Sequence, residues 1–350
     1  MIKVGIIGAG LIGRKRVESI NLVNNNKVIA ICDVDILKAE NSAGKYGIEA
    51  YRDWKDLIRN KEINTIVVST PNKYLKEISL KALENSMNVL CEKPLGRSVK
   101  EAEEIYLKSK EKKKILKTGF NHRHHPAIYR AKKLVENNVI GNVYYIRCIY
   151  GHGGRPGYEK EWRASKELCG GGELLDQGAH VVDLFRWFLG ELDEVYGQIN
   201  TFYWNMKVED NAFAIFKTKK GQIAVMHTSW TQWKNRFLFE VFGEKGYLIV
   251  DGLGRNYGTE KLIIGKRKIM VEKEKPEGGK RVQYVGGAPD EEIIEFPGPD
   301  ISWMEEWKEF VAAIKENREP IGSGYDGLMA NKLIDAVYQS AKLNRPVKIE

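Results

Sequence analysis

The segment Gly8-Ala9-Gly10-Leu11-Ile12-Gly13 lies between a short β-branched run, Ile2 to Ile7, and a stretch of helical period, Leu11 to Leu22. In that context the glycine spacing turns a strand sharply into a helix, a demand that few short patterns make. Gly8 permits the tight turn, Gly10 lets the backbone approach a pyrophosphate, and Gly13 lets the helix lie against the strand. The helix N-terminus then faces the phosphates with its unpaired N–H groups. The same glycines would also serve a plain strand–helix turn, so the remainder of the chain has to decide.

From Lys3 to about Gly119, short β-branched runs alternate with segments of helical period. The strand candidates are Ile2 to Ile7, Val28 to Cys32, Thr65 to Ser69, Asn88 to Cys91 and Ile115 to Thr118, and the later helices are Ile36 to Tyr46, Lys73 to Asn85 and Val99 to Lys112. Such alternation predicts βαβ units with right-handed crossovers, hence an α/β fold with an N-terminal Rossmann, doubly wound parallel sheet. After Pro126 the rhythm changes. A helix to Glu136 leads into a strand, Val143 to Tyr150, and a helix over Leu174 to Leu189 precedes five strand-like runs between Val195 and Val250. That half predicts a C-terminal α/β domain with a large, mostly antiparallel open sheet, closed by helices at Trp303 to Lys315 and Gly327 to Lys342. Residues 1–122 are expected to form the dinucleotide domain and 123–350 the substrate and oligomerisation domain. Gly151 to Gly157 and Gly286 to Pro299 read as loops.

With 350 residues, 43% of them apolar, the chain can bury a sizeable core. Cys32, Cys91, Cys148 and Cys169 are scattered, without C-x-x-C pairs, which points to a reducing, cytoplasmic setting. No apolar run has the length to cross a bilayer and no leader pattern precedes the first strand, so no membrane contact is expected. The net charge of +9 favours anionic partners. Nucleic acid is not expected among them, because the lysines sit in surface-helix patterns such as 108–117, with acidic neighbours and no interleaved aromatics.

Asp33 ends the second strand twenty residues after Gly13, where an acidic side chain binds the adenosine ribose. Asp35 follows and no Arg intervenes, so NAD is expected over NADP. Thr70, Pro71 and Asn72 stand at the carboxyl edge of the sheet. So does Glu92-Lys93-Pro94, which places the Lys93 amine over the nicotinamide position. In isolation a Lys before Pro reads by default as a surface ion pair.

The second half carries Gly170-Gly-Gly-Glu-Leu-Leu-Asp176-Gln-Gly-Ala-His180-Val-Val-Asp183. Asp176, His180 and Asp183, spaced i, i+4, i+7, fall on one helical face, with Leu174, Val181, Phe185 and Phe188 on the other. Residues 167–206 contain no Lys, which argues against an idle, solvated face. Asp176 is expected to accept a hydrogen bond from His180 or tune it electrostatically, leaving an imidazole suited to proton transfer near neutrality. A nearby ammonium such as Lys93 would stabilise an alkoxide as hydride leaves carbon. Five of the six histidines lie between His122 and His180, but adjacent His124 and His125 diverge and no carboxylate or thiol stands at ligand spacing, so no metal is expected. The aromatic group Trp230, Trp233 and Phe237 reads as buried sheet or subunit contact more readily than as a cofactor box.

Together these stretches resemble the glucose–fructose oxidoreductase and inositol dehydrogenase (Gfo/Idh/MocA) family over essentially the whole chain. The resemblance implies an NAD-dependent oxidoreductase acting on a secondary hydroxyl of a sugar, cyclitol or nucleotide sugar, assembled as a homodimer or homotetramer through the open sheet. It implies that Lys93, Asp176 and His180 form the catalytic set. Gly8 to Gly13, Asp33, Thr70, Pro71, Asn72, Glu92 and Lys93 would line the cofactor, and Asn121, Arg123, Trp162, Arg163 and Asp183 would surround nicotinamide and substrate. Leu75 departs from the pattern, since many relatives carry His there. Arg155, Arg163 and the glycine loop near Gly153 would suit a carboxylate or phosphate on the substrate. Two other readings stand beside this one: a glycoside hydrolase working through transient oxidation by held NAD, and a noncatalytic dinucleotide sensor or nucleic-acid partner.

Overall fold

The computed structural model describes residues 1–267, 271–274, 277–283 and 289–349. The first part of the chain runs β1 (Ile2–Ile7), α1 (Leu11–Asn21), β2 (Asn26–Cys32), α2 (Ile36–Tyr46), β3 (Glu49–Tyr51), α3 (Trp54–Arg59), β4 (Thr65–Val68), α4 (Asn72–Glu84), β5 (Asn88–Glu92), α5 (Val99–Lys112) and β6 (Leu116–Gly119). All six strands pair in parallel in the order β3-β2-β1-β4-β5-β6. The expected alternation is present, with β3 and α3 added. At three and six residues, these two elements are too short for a periodicity to reveal.

The central strands are apolar on both sides because both sides are covered. Ile6 and Val67 pack with Val17 and Ile20 of α1 on one face, and Ile7, Ile66 and Val68 pack with Leu75 and Ile78 of α4 on the other. The strand order reverses between β1 and β4, and at such a switch point a crevice opens at the carboxyl ends.

A 3-10 turn over Asn121–His124 leads to α6 (Pro126–Glu136), β7 (Val143–Gly151), α7 (Lys166–Cys169), α8 (Glu173–Asp176) and α9 (Gly178–Leu189). Then follow β8 (Glu194–Asn200), β9 (Asn211–Lys217), β10 (Ile223–Ser229), β11 (Arg236–Gly243), β12 (Gly246–Asp251), β13 (Glu260–Lys266), β14 (Val271–Glu274), β15 (Lys280–Gln283) and β16 (Glu291–Phe296). Helices α10 (Ser302–Glu316) and α11 (Gly324–Leu343) and strand β17 (Val347–Lys348) complete the chain. Nine strands form one sheet, β16-β13-β12-β11-β7-β10-β9-β8-β17, antiparallel except where β10 joins β7. One face packs on α9 through Phe185, Phe188, Phe216 and Phe239. The other face leaves Tyr196, Phe213, Ile215 and Val225 between 36% and 49% exposed.

Three expectations need correction. The single helix over Leu174 to Leu189 is two, because at Gln177 the hydrogen bonding tightens and the His180 amide reaches only the Gln177 carbonyl, 3.0 Å away. The loop from Gly286 to Pro299 contains β16, paired with β13, while residues 284–288 lie outside the described residues. Trp230 and Phe237 are buried as expected, but Trp233 is 65% exposed. Helices α10 and α11 also turn back onto the first half: Trp307, Phe310 and Val311 join the cluster around β1, and Leu328 joins the one around β5. Among the described residues no helix is long and apolar enough to cross a membrane.

Candidate active site

At the carboxyl end of β1 the loop has little freedom. Gly8 holds φ +105°, and a Cβ there would lie 2.5 Å from the Ser69 carbonyl oxygen; one on Gly13 would lie 1.8 Å from that of Gly8. Gly10, by contrast, faces open space, with nothing within 4 Å of a built Cβ. Helix α1 has no side-chain cap and no acidic residue in its first turn, so its N–H groups and positive end are left to a ligand. Asp33 fixes the loop from the side: its carboxylate accepts the Ala9 amide at 2.9 Å and the Asp35 amide at 3.0 Å. Leu11 is exposed and Ile12 half-buried beside it. Thr70 carries a buried hydroxyl without a partner at the end of β4, next to half-buried Pro71. A glycine cradle, an uncapped helix end, an orphaned hydroxyl and an acid beside the ribose position fit a dinucleotide.

Lys93 follows β5 at the same edge. Its ammonium donates to the Asp176 carboxylate at 2.6 Å and to the Asp176 carbonyl at 2.8 Å, joining the parallel sheet to α8. Arg163 approaches the other carboxylate oxygen at 3.3 Å. Burial pushes the Asp176 carboxyl up, but the Lys93 and Arg163 charges outweigh it and hold the group below the usual carboxylate range. The expected hydrogen bond between Asp176 and His180 is not formed, because both cations occupy the carboxylate.

His180 instead stacks on His122, with ring centroids 3.7 Å apart and planes 16° from parallel. Its Nδ1 is buried without a partner. Burial, reinforced by the Lys93 ammonium, depresses its pKa well below the ordinary histidine value, so the imidazole is neutral near pH 7. His122, which the sequence brought up only in weighing and rejecting a metal site, is the ring it stacks on. Among the described residues no metal-holding group of His, Cys, Asp and Glu is found.

Several other expected site residues have side chains engaged with protein partners. Arg123 and Asp183 form a buried two-pronged ion pair at 2.6 and 2.8 Å, extended through Asp326 to Arg186, so neither side chain is free for substrate. The Glu92 carboxylate turns into the interior and pairs with buried Arg16 at 2.6 Å, leaving only the Glu92 backbone at the sheet edge. Asn72 donates to the Cys169 carbonyl at 2.8 Å, and Asn121 to Ser302 at 2.9 Å. Arg163 lies over the Trp162 ring at 4.6 Å, whereas Arg155 is exposed and paired with Glu161. The sequence also gave no sign of Glu173, whose carboxyl is fully buried with both oxygens unpartnered, three residues before Asp176.

Residues 2–120 match the family described as oxidoreductase family, NAD-binding Rossmann fold, and residues 128–249 match the GFO/IDH/MocA C-terminal domain. The chain is 25% identical to levoglucosan dehydrogenase of Pseudarthrobacter phenanthrenivorans, over 97% of this chain and 96% of that protein. It is 26% identical to myo-inositol 2-dehydrogenase of Thermotoga maritima, over 99% of this chain and 98% of that one. Among solved structures, an oxidoreductase domain protein from Kribbella flavida is similar at 27% identity and a TM-score of 0.84, covering 100% of this chain and 99% of its own. A levoglucosan dehydrogenase in complex with NADH shares the fold with a TM-score of 0.87 at 24% identity, covering 100% of this chain and 99% of its own.

Proposed function

The chain belongs to the Gfo/Idh/MocA family of NAD-binding oxidoreductases, and on that basis we propose that it oxidises a secondary hydroxyl of a sugar, cyclitol or nucleotide sugar. Bound NAD would supply the hydride acceptor. In this reading residues 1–122 hold NAD and residues 123–350 hold the substrate. The glycine loop and the start of α1 bind the pyrophosphate, and the Asp33 carboxylate selects the ribose hydroxyls of NAD over a 2′-phosphate. Lys93 has two of its three N–H donors committed to Asp176, which leaves the third for the carbinol oxygen. There it stabilises the negative charge that develops on oxygen. His180, held neutral, takes the hydroxyl proton. Loss of that proton and of a hydride from the same carbinol leaves a ketone. The relatives' names offer no support for the alternative of a glycoside hydrolase.

The observation that carries the reading is the 2.6 Å contact between Lys93 and Asp176, which brings groups from the two halves to one place. NADH absorbance across sugars, cyclitols and nucleotide sugars tests it. Lys93→Met and His180→Ala are expected to bind NAD normally and to lose roughly 100-fold or more in kcat. Undiminished turnover in both variants would overturn the assignment. The partly exposed apolar face of the nine-stranded sheet supports assembly into a homodimer or homotetramer, and the four free, buried cysteines suit a reducing cytoplasm.

A further inference from the structure

A run of aromatic rings leads from solvent to the reacting groups. Trp233 meets Tyr203 with centroids 4.9 Å apart, Tyr203 meets Trp204 at 5.2 Å, and Trp204 meets Tyr158 at 5.6 Å. Tyr158 and Trp204 share an apolar cluster with Trp162, whose ring carries the Arg163 guanidinium at 4.6 Å, and Arg163 itself reaches Asp176 at 3.3 Å. The outer end is largely open to water: Phe202, Tyr203 and Trp233 are 64%, 63% and 65% exposed.

These rings are not on a loose loop. The amides of Phe202, Tyr203 and Trp204 all donate to the carboxylate of Asp210, a fully buried residue, at 2.9 to 3.0 Å, and the Trp204 indole donates to the Trp230 carbonyl at 2.9 Å. Glycines make their seats: a Cβ on Gly154 would lie 2.4 Å from the Trp204 ring, and one on Gly153 would lie 3.2 Å from that of Trp233. A surface that anchors the backbone beneath large rings exposed to water is suited to a ligand. Beside them Arg155 lies over Tyr158 at 5.4 Å and pairs with Glu161, so polar donors and acceptors border the apolar faces. A pyranose ring has that same division, an apolar C–H face and a rim of hydroxyls.

Resting on the dehydrogenase reading above, we propose that Tyr203 and Trp233 form a second carbohydrate subsite, so that the substrate is a glycoside with one ring oxidised at Lys93 and His180 and the next lying on this shelf. The reaction converts one carbinol of the first ring to a ketone and leaves the glycosidic bond intact.

The test compares a disaccharide, the methyl glycoside of its oxidised sugar, the free sugar and a nitrophenyl glycoside at saturating NAD. The disaccharide is expected to have the highest kcat/KM, by about tenfold, and Trp233→Ala or Tyr203→Ala to reduce it to the methyl glycoside's value while leaving that value unchanged. Disaccharide should also quench tryptophan fluorescence of the wild type in a saturable way that Trp233→Phe diminishes. Equal kcat/KM for the disaccharide and the methyl glycoside, or a gain confined to the nitrophenyl glycoside, would overturn the subsite. So would a drop in oligomeric mass of Trp233→Ala on sizing, since a second copy would then cover the shelf. Absence of NADH with every sugar would sink the dehydrogenase reading instead, and fluorescence quenching would still report on the shelf.

Discussion

His180 works as a base at neutral pH because burial and the Lys93 ammonium both disfavour its protonated form. The expected consequence is that kcat/KM for sugar oxidation falls on the acid side only well below pH 6.5, where the imidazole finally gains a proton. A pH–rate profile with its acid limb at 6.5 or higher would contradict this. Glu173 is displaced in the other direction: burial first, and then the Asp176 carboxylate, raise its pKa well above 4.5. A carboxyl that holds its proton more tightly when folded stabilises the fold fully below the unfolded pKa, and loses that contribution as pH rises through the folded value. Glu173→Gln should therefore raise the melting temperature by about 1–3 °C at pH 8 and by less at pH 5, as differential scanning fluorimetry can follow. Neither residue's state was legible in the sequence. The spacing of Asp176 and His180 suggested a mutual hydrogen bond, and it could not show that Lys93 and Arg163, distant in the chain, claim the carboxylate first. Likewise the His122–His180 stack is made by tertiary packing across fifty-eight positions, which no local pattern encodes.

The strand, turn and helix at Gly8–Gly13 form the element that the sequence specified best, since each glycine there answers a steric demand visible in the spacing itself. Gly13→Ala sets a methyl against the Gly8 carbonyl and must displace the loop. Losing one or two charge-assisted N–H contacts to phosphate, at about 1.5–3 kcal/mol each, is expected to raise the Kd for NAD by roughly 100-fold, measurable by calorimetry. The long helices and the central strands were equally readable, because their periods persist over many residues. Short elements were not: β3 and α3 hold three and six residues, and β16 sits in a stretch whose Gly and Pro content reads as loop. The break between α8 and α9 escaped for a related reason, since the apolar pattern continues across Gln177 while the hydrogen bonding does not.

Helix α10 is held against the six-stranded sheet by charge as well as by packing. Arg16 of α1, fully buried, pairs with Glu92 at the end of β5 and with Glu306 of α10 at 2.5 Å, and buried Lys117 lies 4.0 Å from Glu306. Removing Glu306 takes the neighbouring carboxylate from buried Lys117 and leaves Arg16 with Glu92 alone, so Glu306→Ala should cost about 3 kcal/mol or more, read from urea unfolding. In the second half, the open face of the nine-stranded sheet groups Ile215 with Val225 and Phe213 with His227 across paired strands. If that face joins copies of the chain, Ile215→Lys should lower the mass seen by analytical ultracentrifugation without unfolding the protomer. Chain order foretold two halves but not that α10 and α11 cross back, because the partners of Trp307 and Phe310 lie some three hundred residues upstream. That return has a practical corollary. A gene truncated after residue 122 would encode a nucleotide-binding body missing part of its own hydrophobic lining, with an empty socket where an indole, a phenyl ring and a valine belong. Swapping substrate modules between relatives by a single cut would thus carry away a wall of the cofactor's house, whereas a splice that keeps both terminal helices with their native base would leave it standing.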